Sequence, residues 1–293
     1  MPVSLNDASQ VVELFRDAAN MLRTSPLRRG CCVHLPSRGR LLATGDLHDN
    51  PEHLRRILTL ARLDASPAHH VVLHEMIHGD RHINGMDFSY RMLARAAELV
   101  VQHPQQVHPL LANHELAQMT GKGVSKGAGN SVELFNAALE YVFSDACDDV
   151  AQAINLFIRA MPLALQSENG SAGGVLCAHS LPGDSSMARF DLDVLERELT
   201  DDDYAGPNGA AYAMVWGRKR TEGTTTEQLA AHWNVKLFCL GHEHAETGIE
   251  MRGSRIIILN SDHERACALP IDLAAVPSAE EAMMMAVPLS SVS

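Results

Sequence analysis

The strongest constraint on this chain is one local pattern that recurs: a short apolar run stops at residues able to bind metal or move protons, and a helix-like segment follows. RLLATGDLHDNPEHL reads as a strand closed by Gly45, a turn carrying Asp46 and His48, and a helix opened near Pro51. AHHVVLHEMIHGD repeats the order, its apolar run over 71–73 ending before His74 and Glu75. In QVHPLLANHELA the strand is expected to last to Ala112 and to deliver Asn113, His114 and Glu115. VLCAHS sets His179 after another run, and KLFCLGHEH sets His242 and His244 after one more, with Gly241 allowing a tight turn. Strands alternating with helices predict an α/β layout, and polar residues at the carboxyl ends of strands are what an α/β ligand site needs.

Sixteen histidines make any single one weak evidence, so the placement of the set carries the argument. Asp46 and His48, two apart in one turn, can converge on one ion; His242 and His244 repeat that spacing. Adding Asn113, His179 and a shared Glu75 gives donors for two ion shells. Imidazole, carboxylate and amide together suit two divalent ions such as Mn, Fe or Zn, unlike a calcium loop or a thiolate zinc site. Glu75 would bridge them, its charge holding two cations close.

Composition narrows the class. The 293 residues carry 24 basic and 36 acidic side chains, a net charge of -12, so no extended nucleic-acid binding is expected. The six cysteines show no CxxC or zinc-ribbon spacing, and no run approaches a membrane span or a secretory signal; the expectation is a cytoplasmic protein. An amphipathic helix is expected over Ala8 to Leu22, inside an N-terminal helix and linker at 1–36, and another helix over Phe88 to Val101. The main domain is expected over 37–275, with a loop and helical insertion at about 117–165 and a tail at 276–293. In the insertion, MTGKGVSKGAGN suggests either a loop or a substrate contact through Lys122 or Lys126. SVELFNAALEYVF and DDVAQAINLFIRAM read as helices. GGVLCAHSLP, AAYAMVWGRK, NVKLFCLGHEH and SRIIILNSDHERACALPIDL read as strands, DLDVLERELTDDDY as a solvated helix and loop, and Met283 to Met285 as packing against the body.

GDLHDN, LHEMIHGD, ANHE, AHS and GHEH, in that order, resemble the motifs of the calcineurin-like metallophosphoesterases. The likeness runs over roughly 40–265 and leans toward the phosphoprotein-phosphatase branch through the helical insertion, the AMPLAL run and AMVW. It implies a metallophosphoesterase-type β-sandwich flanked by helices, with a helical cap-like insertion. It further implies that Asp46, His48 and His244 hold one metal, that Asn113, His179 and His242 hold the other, and that Glu75 stands at the bridging position. His114 is then the catalytic histidine, protonating the leaving oxygen, and Glu115 orients the loop.

The second motif departs from the family: Glu75 replaces Asp, and His78 stands where the branch has the Asp that orients the catalytic histidine. Asp49 adds negative charge beside the site, while Arg81, Arg218 and His263 are candidate substrate contacts or rim residues. The resemblance implies a phosphomonoesterase using direct attack by a metal-activated hydroxide on a phosphorylated small molecule, nucleotide or phosphoprotein. A nucleotide or other phosphodiesterase, and a weakly catalytic metal-binding scaffold, are the alternatives.

Overall fold

Beyond their first residues, the strands Arg40–Thr44 and His69–Leu73 are buried on both faces, so their sequences read as unbroken apolar runs. Alternation persists underneath: Leu41, Ala43 and Val72 enter one core while Leu42, Val71 and Leu73 enter another. The computed structural model describes residues 3–122, 125–126, 129–218 and 223–293. In it these strands belong to a five-stranded sheet ordered Val287–Pro288, Cys267–Asp272, Arg40–Thr44, His69–Leu73, Val107–Pro109. The last three run parallel. A seven-stranded sheet is ordered Arg28–Arg29, Cys32–Pro36, Ala164–Glu168, Gly174–Ala178, Val235–Leu240, Ile256–Leu259, Ile249–Arg252. Its 174–178, 235–240 and 256–259 strands are parallel.

The sheets share a core of Leu35, Leu165, Val175, Leu237 and Ile257 from one and Leu41, Val72 and Leu269 from the other, which is the expected sandwich. Helices cover the second core. Helix Ala8–Thr24 starts where Asp7 accepts the N–H of Gln10, and it buries Val11, Leu14, Phe15, Ala18 and Leu22 at helical spacing. Phe15 meets Phe157 of helix Cys147–Ala160 with ring centroids 5.5 Å apart. Each such fully buried ring contributes about 1.5–3 kcal/mol relative to an exposed one. The insertion supplies helices Ser131–Phe143 and Cys147–Ala160. Among the described residues no helix is long and apolar enough to cross a membrane.

Several local expectations change. AAYAMVW forms the helix Ala210–Trp216, with Ala210, Ala211, Ala213, Met214 and Val215 buried. A run this short and apolar on every side carries no period, and its alanines favour helix once packing allows it. The strand expected to reach Ala112 ends at Pro109. Leu110 donates to the Leu73 carbonyl and Leu111 to that of Pro162, so the chain leaves the ladder before helix Asn113–Thr120. The acidic segment 191–204 is only partly solvated: Val194, Leu195, Asp203 and Tyr204 are buried, with Arg197 clasping both oxygens of Asp203 at 2.8 Å. Met283 packs against the body within helix Ala279–Met285, but Met284 is 87% exposed.

Candidate metal centre

Parallel strands from both sheets end together, and their loops are joined by backbone hydrogen bonds. The His48 N–H donates to the Glu75 carbonyl at 2.8 Å and the Asp49 N–H to that of Met76 at 3.0 Å. Asp46 bridges to His74 in one sheet and to Asn260 at the end of the other sheet's 256–259 strand. The approach is close enough that a Cβ on Gly45 would lie 1.8 Å from the Leu259 carbonyl oxygen. His48, Glu75, His78 and His242 all have positive φ, from +40° to +66°. Non-glycine residues hold that conformation at a cost of about 1–3 kcal/mol each, and only where surrounding structure imposes it.

Within this frame seven of the eight residues expected to hold metal or carry catalysis form one largely buried cluster. Asp46 accepts the His242 N–H on both oxygens, at 3.1 and 2.9 Å. The Glu75 carboxylate lies centrally: Oε2 is 3.6 Å from His48 Nε2 and 3.6 Å from His179 Nε2, and Oε1 is 3.4 Å from His114 Nε2. Asn113, first residue of its helix, sets Oδ1 2.6 Å from His179 Nε2 and 3.1 Å from His242 Nδ1. His179 Nδ1 is 3.5 Å from Asp46 Oδ1. Two groups are tight enough to share an ion: His48, Glu75 and His114, and Asp46, Glu75 and His179.

The electrostatics suit a cation. Burial, followed by neighbouring histidines, pushes His179 well below the usual imidazole range. His242 is lowered to about 4, first by burial and then by the charge of Arg218. Both rings are therefore neutral near pH 7 and offer electron pairs, as metal ligation requires. His48 Nδ1 lies 3.3 Å from the Ile77 carbonyl oxygen; donating there leaves Nε2 as the electron-pair donor on the cluster side. Carboxylate, imidazole and amide oxygen together fit divalent metal.

His244 stands apart. It is exposed, and its ring contact is with His263, 5.4 Å away between centroids. His263 is itself held, with Nε2 3.1 Å from the Ala245 carbonyl oxygen and Nδ1 accepting the Arg265 N–H. Arg81 is tethered to the buried Asp49 at 2.8 and 3.2 Å, which answers the added negative charge. Burial raises the Asp49 carboxyl, and the arginine opposes that. Arg218 is exposed near His242, and Lys122 is exposed; the side chain of Lys126 lies outside the described residues. Glu115 is wholly buried, its Oε1 accepting the Met76 N–H at 2.8 Å, so it fastens the Glu75 loop; burial lifts its carboxyl to about 7.

Residues unmarked in the sequence complete the frame. Asn260 Oδ1 accepts the Ala245 N–H at 2.5 Å, and Ser261 accepts the Gly45 N–H while donating to the Cys267 carbonyl. The only sequence signal for them was position: they follow the apolar run IIIL as the other site residues follow theirs. Asp87 and Ser89, which contact His78, carried no such mark.

A two-sheet α/β sandwich with a buried imidazole, carboxylate and amide cluster at its parallel strand ends defines a metal-binding α/β protein. The chain belongs to the calcineurin-like phosphoesterase family, whose model matches residues 39–246, and membership supports a metal-dependent phosphoester hydrolase. Among solved structures, a serine/threonine phosphatase from Saccharomyces cerevisiae, described as similar to human phosphatase PP5, aligns with a TM-score of 0.61 at 15% identity. That alignment covers 91% of this chain and 83% of that one. A cold-active protein-tyrosine phosphatase from a psychrophilic Shewanella species aligns at 0.60 and 13%, covering 88% and 81%. At these identities the likeness is one of fold. No curated protein sequence matches the chain.

Proposed function

We propose that the protein is a phosphomonoesterase working with two divalent ions of the Mn, Fe or Zn kind. The observation that carries the reading is the position of Glu75, one oxygen of which is equidistant, at 3.6 Å, from His48 and His179. Under this reading Asp46 and His48 hold one ion, with His244 as its outermost ligand, and Asn113, His179 and His242 hold the other. Bound ions of this kind lower the pKa of water toward about 7 and neutralise phosphate charge.

The chain's own residues do the rest. His114, its Nε2 3.4 Å from Glu75, faces the same centre and is placed to donate a proton to the departing oxygen. Arg218, whose charge reaches His242, puts positive charge at the rim, which favours the doubly charged monoester over the singly charged diester. Phosphorylated small molecules, nucleotides and phosphoproteins fit that chemistry. A cytoplasmic setting belongs to the proposal, supported by six cysteines present as free thiols.

The test compares p-nitrophenyl phosphate with bis-p-nitrophenyl phosphate, using Mn(II)-loaded protein, metal-stripped protein and His114→Ala. Metal-dependent turnover favouring the monoester, reduced about 10²- to 10⁴-fold in the variant, is expected. Preference for the diester would replace this reading with a phosphodiesterase. Two bound ions with no turnover of either ester would replace it with a scaffold.

A further inference from the structure

His78 and Asp87 form a buried polar pair for which metal binding has no use. His78 stands on the loop after strand His69–Leu73 with a left-handed backbone, φ +60°. Its N–H donates to Ser89 Oγ at 3.0 Å, and the Ser89 N–H donates to Asp87 Oδ1 at 2.8 Å. Asp87 Oδ2 lies 2.7 Å from His78 Nδ1, and the two side chains are 2% and 1% exposed. A carboxylate oxygen at that distance accepts, which places an imidazole proton on Nδ1; the tautomer carrying only that proton turns a lone pair outward from Nε2.

That Nε2 is buried and has no hydrogen-bond partner among the described residues. Phe135 meets the His78 ring edge-on at 5.5 Å, and the ring of His114 lies 5.4 Å away between centroids. A modest rotation at that separation brings ring nitrogens within hydrogen-bond reach, and catalytic hydrogen bonds are often long until substrate is bound.

We infer that Asp87 is a positioning residue for His114, acting through His78: by holding the Nδ1–H tautomer, it presents a lone pair that orients the His114 ring. The inference rests on the phosphoesterase reading for its kinetic consequence. Asp87 touches no reacting atom. Its effect is on how well His114 delivers a proton to the leaving oxygen, so the dependence on leaving group separates this role from simple loop packing.

Asp87→Asn is the informative variant. The amide keeps an acceptor for Ser89 but offers N–H to His78 Nδ1, forcing the proton to Nε2 and turning a donor toward His114. The metal-loaded variant and wild type are compared on p-nitrophenyl, phenyl and alkyl phosphates. Expected is an unchanged KM, with kcat falling roughly tenfold to a hundredfold for the alkyl ester and under about threefold for the p-nitrophenyl ester. His78→Gln, with Asp87 intact, is expected to show the same gradient, and it serves if the first variant does not fold. A loss uniform across leaving groups, or confined to Tm or metal content, overturns the inference. Should wild type hydrolyse no ester, the phosphoesterase reading fails separately. Imidazole ¹⁵N spectra then judge the pair: a His78 proton that moves from Nδ1 to Nε2 in Asp87→Asn and shifts the His114 resonances supports it, and an unmoved His114 overturns it.

Discussion

Gly241→Ala is expected to unseat a site carboxylate while adding only a methyl group. A Cβ at this position would fall 2.2 Å from Asp46 Oδ1, 3.3 Å from its Cγ and 3.5 Å from His179 Nδ1. Carbon and oxygen do not approach so closely without bonding, so the carboxylate must retreat by about 1 Å. Asp46 would then release the His242 N–H it accepts at 2.9 and 3.1 Å. Losing that charge-assisted bond costs about 1.5–3 kcal/mol. Overpacking adds about 1–3 kcal/mol. For a chain of this size, the resulting loss of about 2.5–6 kcal/mol corresponds to a fall in Tm of about 4–10 °C. Because the displaced oxygen faces the ligand cluster, Mn(II) affinity is expected to drop about 10- to 100-fold. Thermal unfolding of the metal-free protein and calorimetric Mn(II) titration measure the two effects. A Tm within about 2 °C of wild type and an affinity within about threefold would refute the reasoning.

The exposed His244 and the inward His242 are expected to differ: His242→Ala weakens metal binding by about tenfold or more, His244→Ala several times less. Equal losses in a metal titration would show that His244 turns inward when metal binds. His108, buried beside His70 with 3.2 Å between His70 Nδ1 and His108 Nε2, is lowered to about 3, first by burial and then by that neighbour. The folded state keeps it neutral. As pH falls below the unfolded value near 6.5, the unfolded chain takes up a proton that the folded one refuses, and stability is lost progressively down to about pH 3. Urea unfolding at pH 7 and pH 5 is expected to show wild type losing about 2 kcal/mol more than His108→Gln over that interval. Parallel pH dependence in the two proteins would contradict the assignment.

The sequence was most legible where chemistry and local structure coincide. Asp46, His48, Glu75, Asn113, His114, His179 and His242 could be picked out because a strand that ends in a turn fixes where its next residues go, and the structure brings all seven together. His244 shared the pattern, and the structure leaves it exposed beside the ring of His263. The strand and helix readings failed where a run was too short to show a period, as in Ala210–Trp216.

What the sequence determined by itself was therefore the α/β alternation, the apolar strands and the inventory of donor side chains, all set within a few residues of one another. Tertiary structure alone decided that Asp46 joins both sheets through His74 and Asn260, that Ser261 braces Gly45, and that Asp87 stands behind His78. The Ser261 and Asn260 contacts span more than 200 residues of chain, and the Asp87 contact is buried although residues 80–85 between it and His78 are exposed. No local preference encodes such pairings; they follow from packing two sheets and their helices against one another.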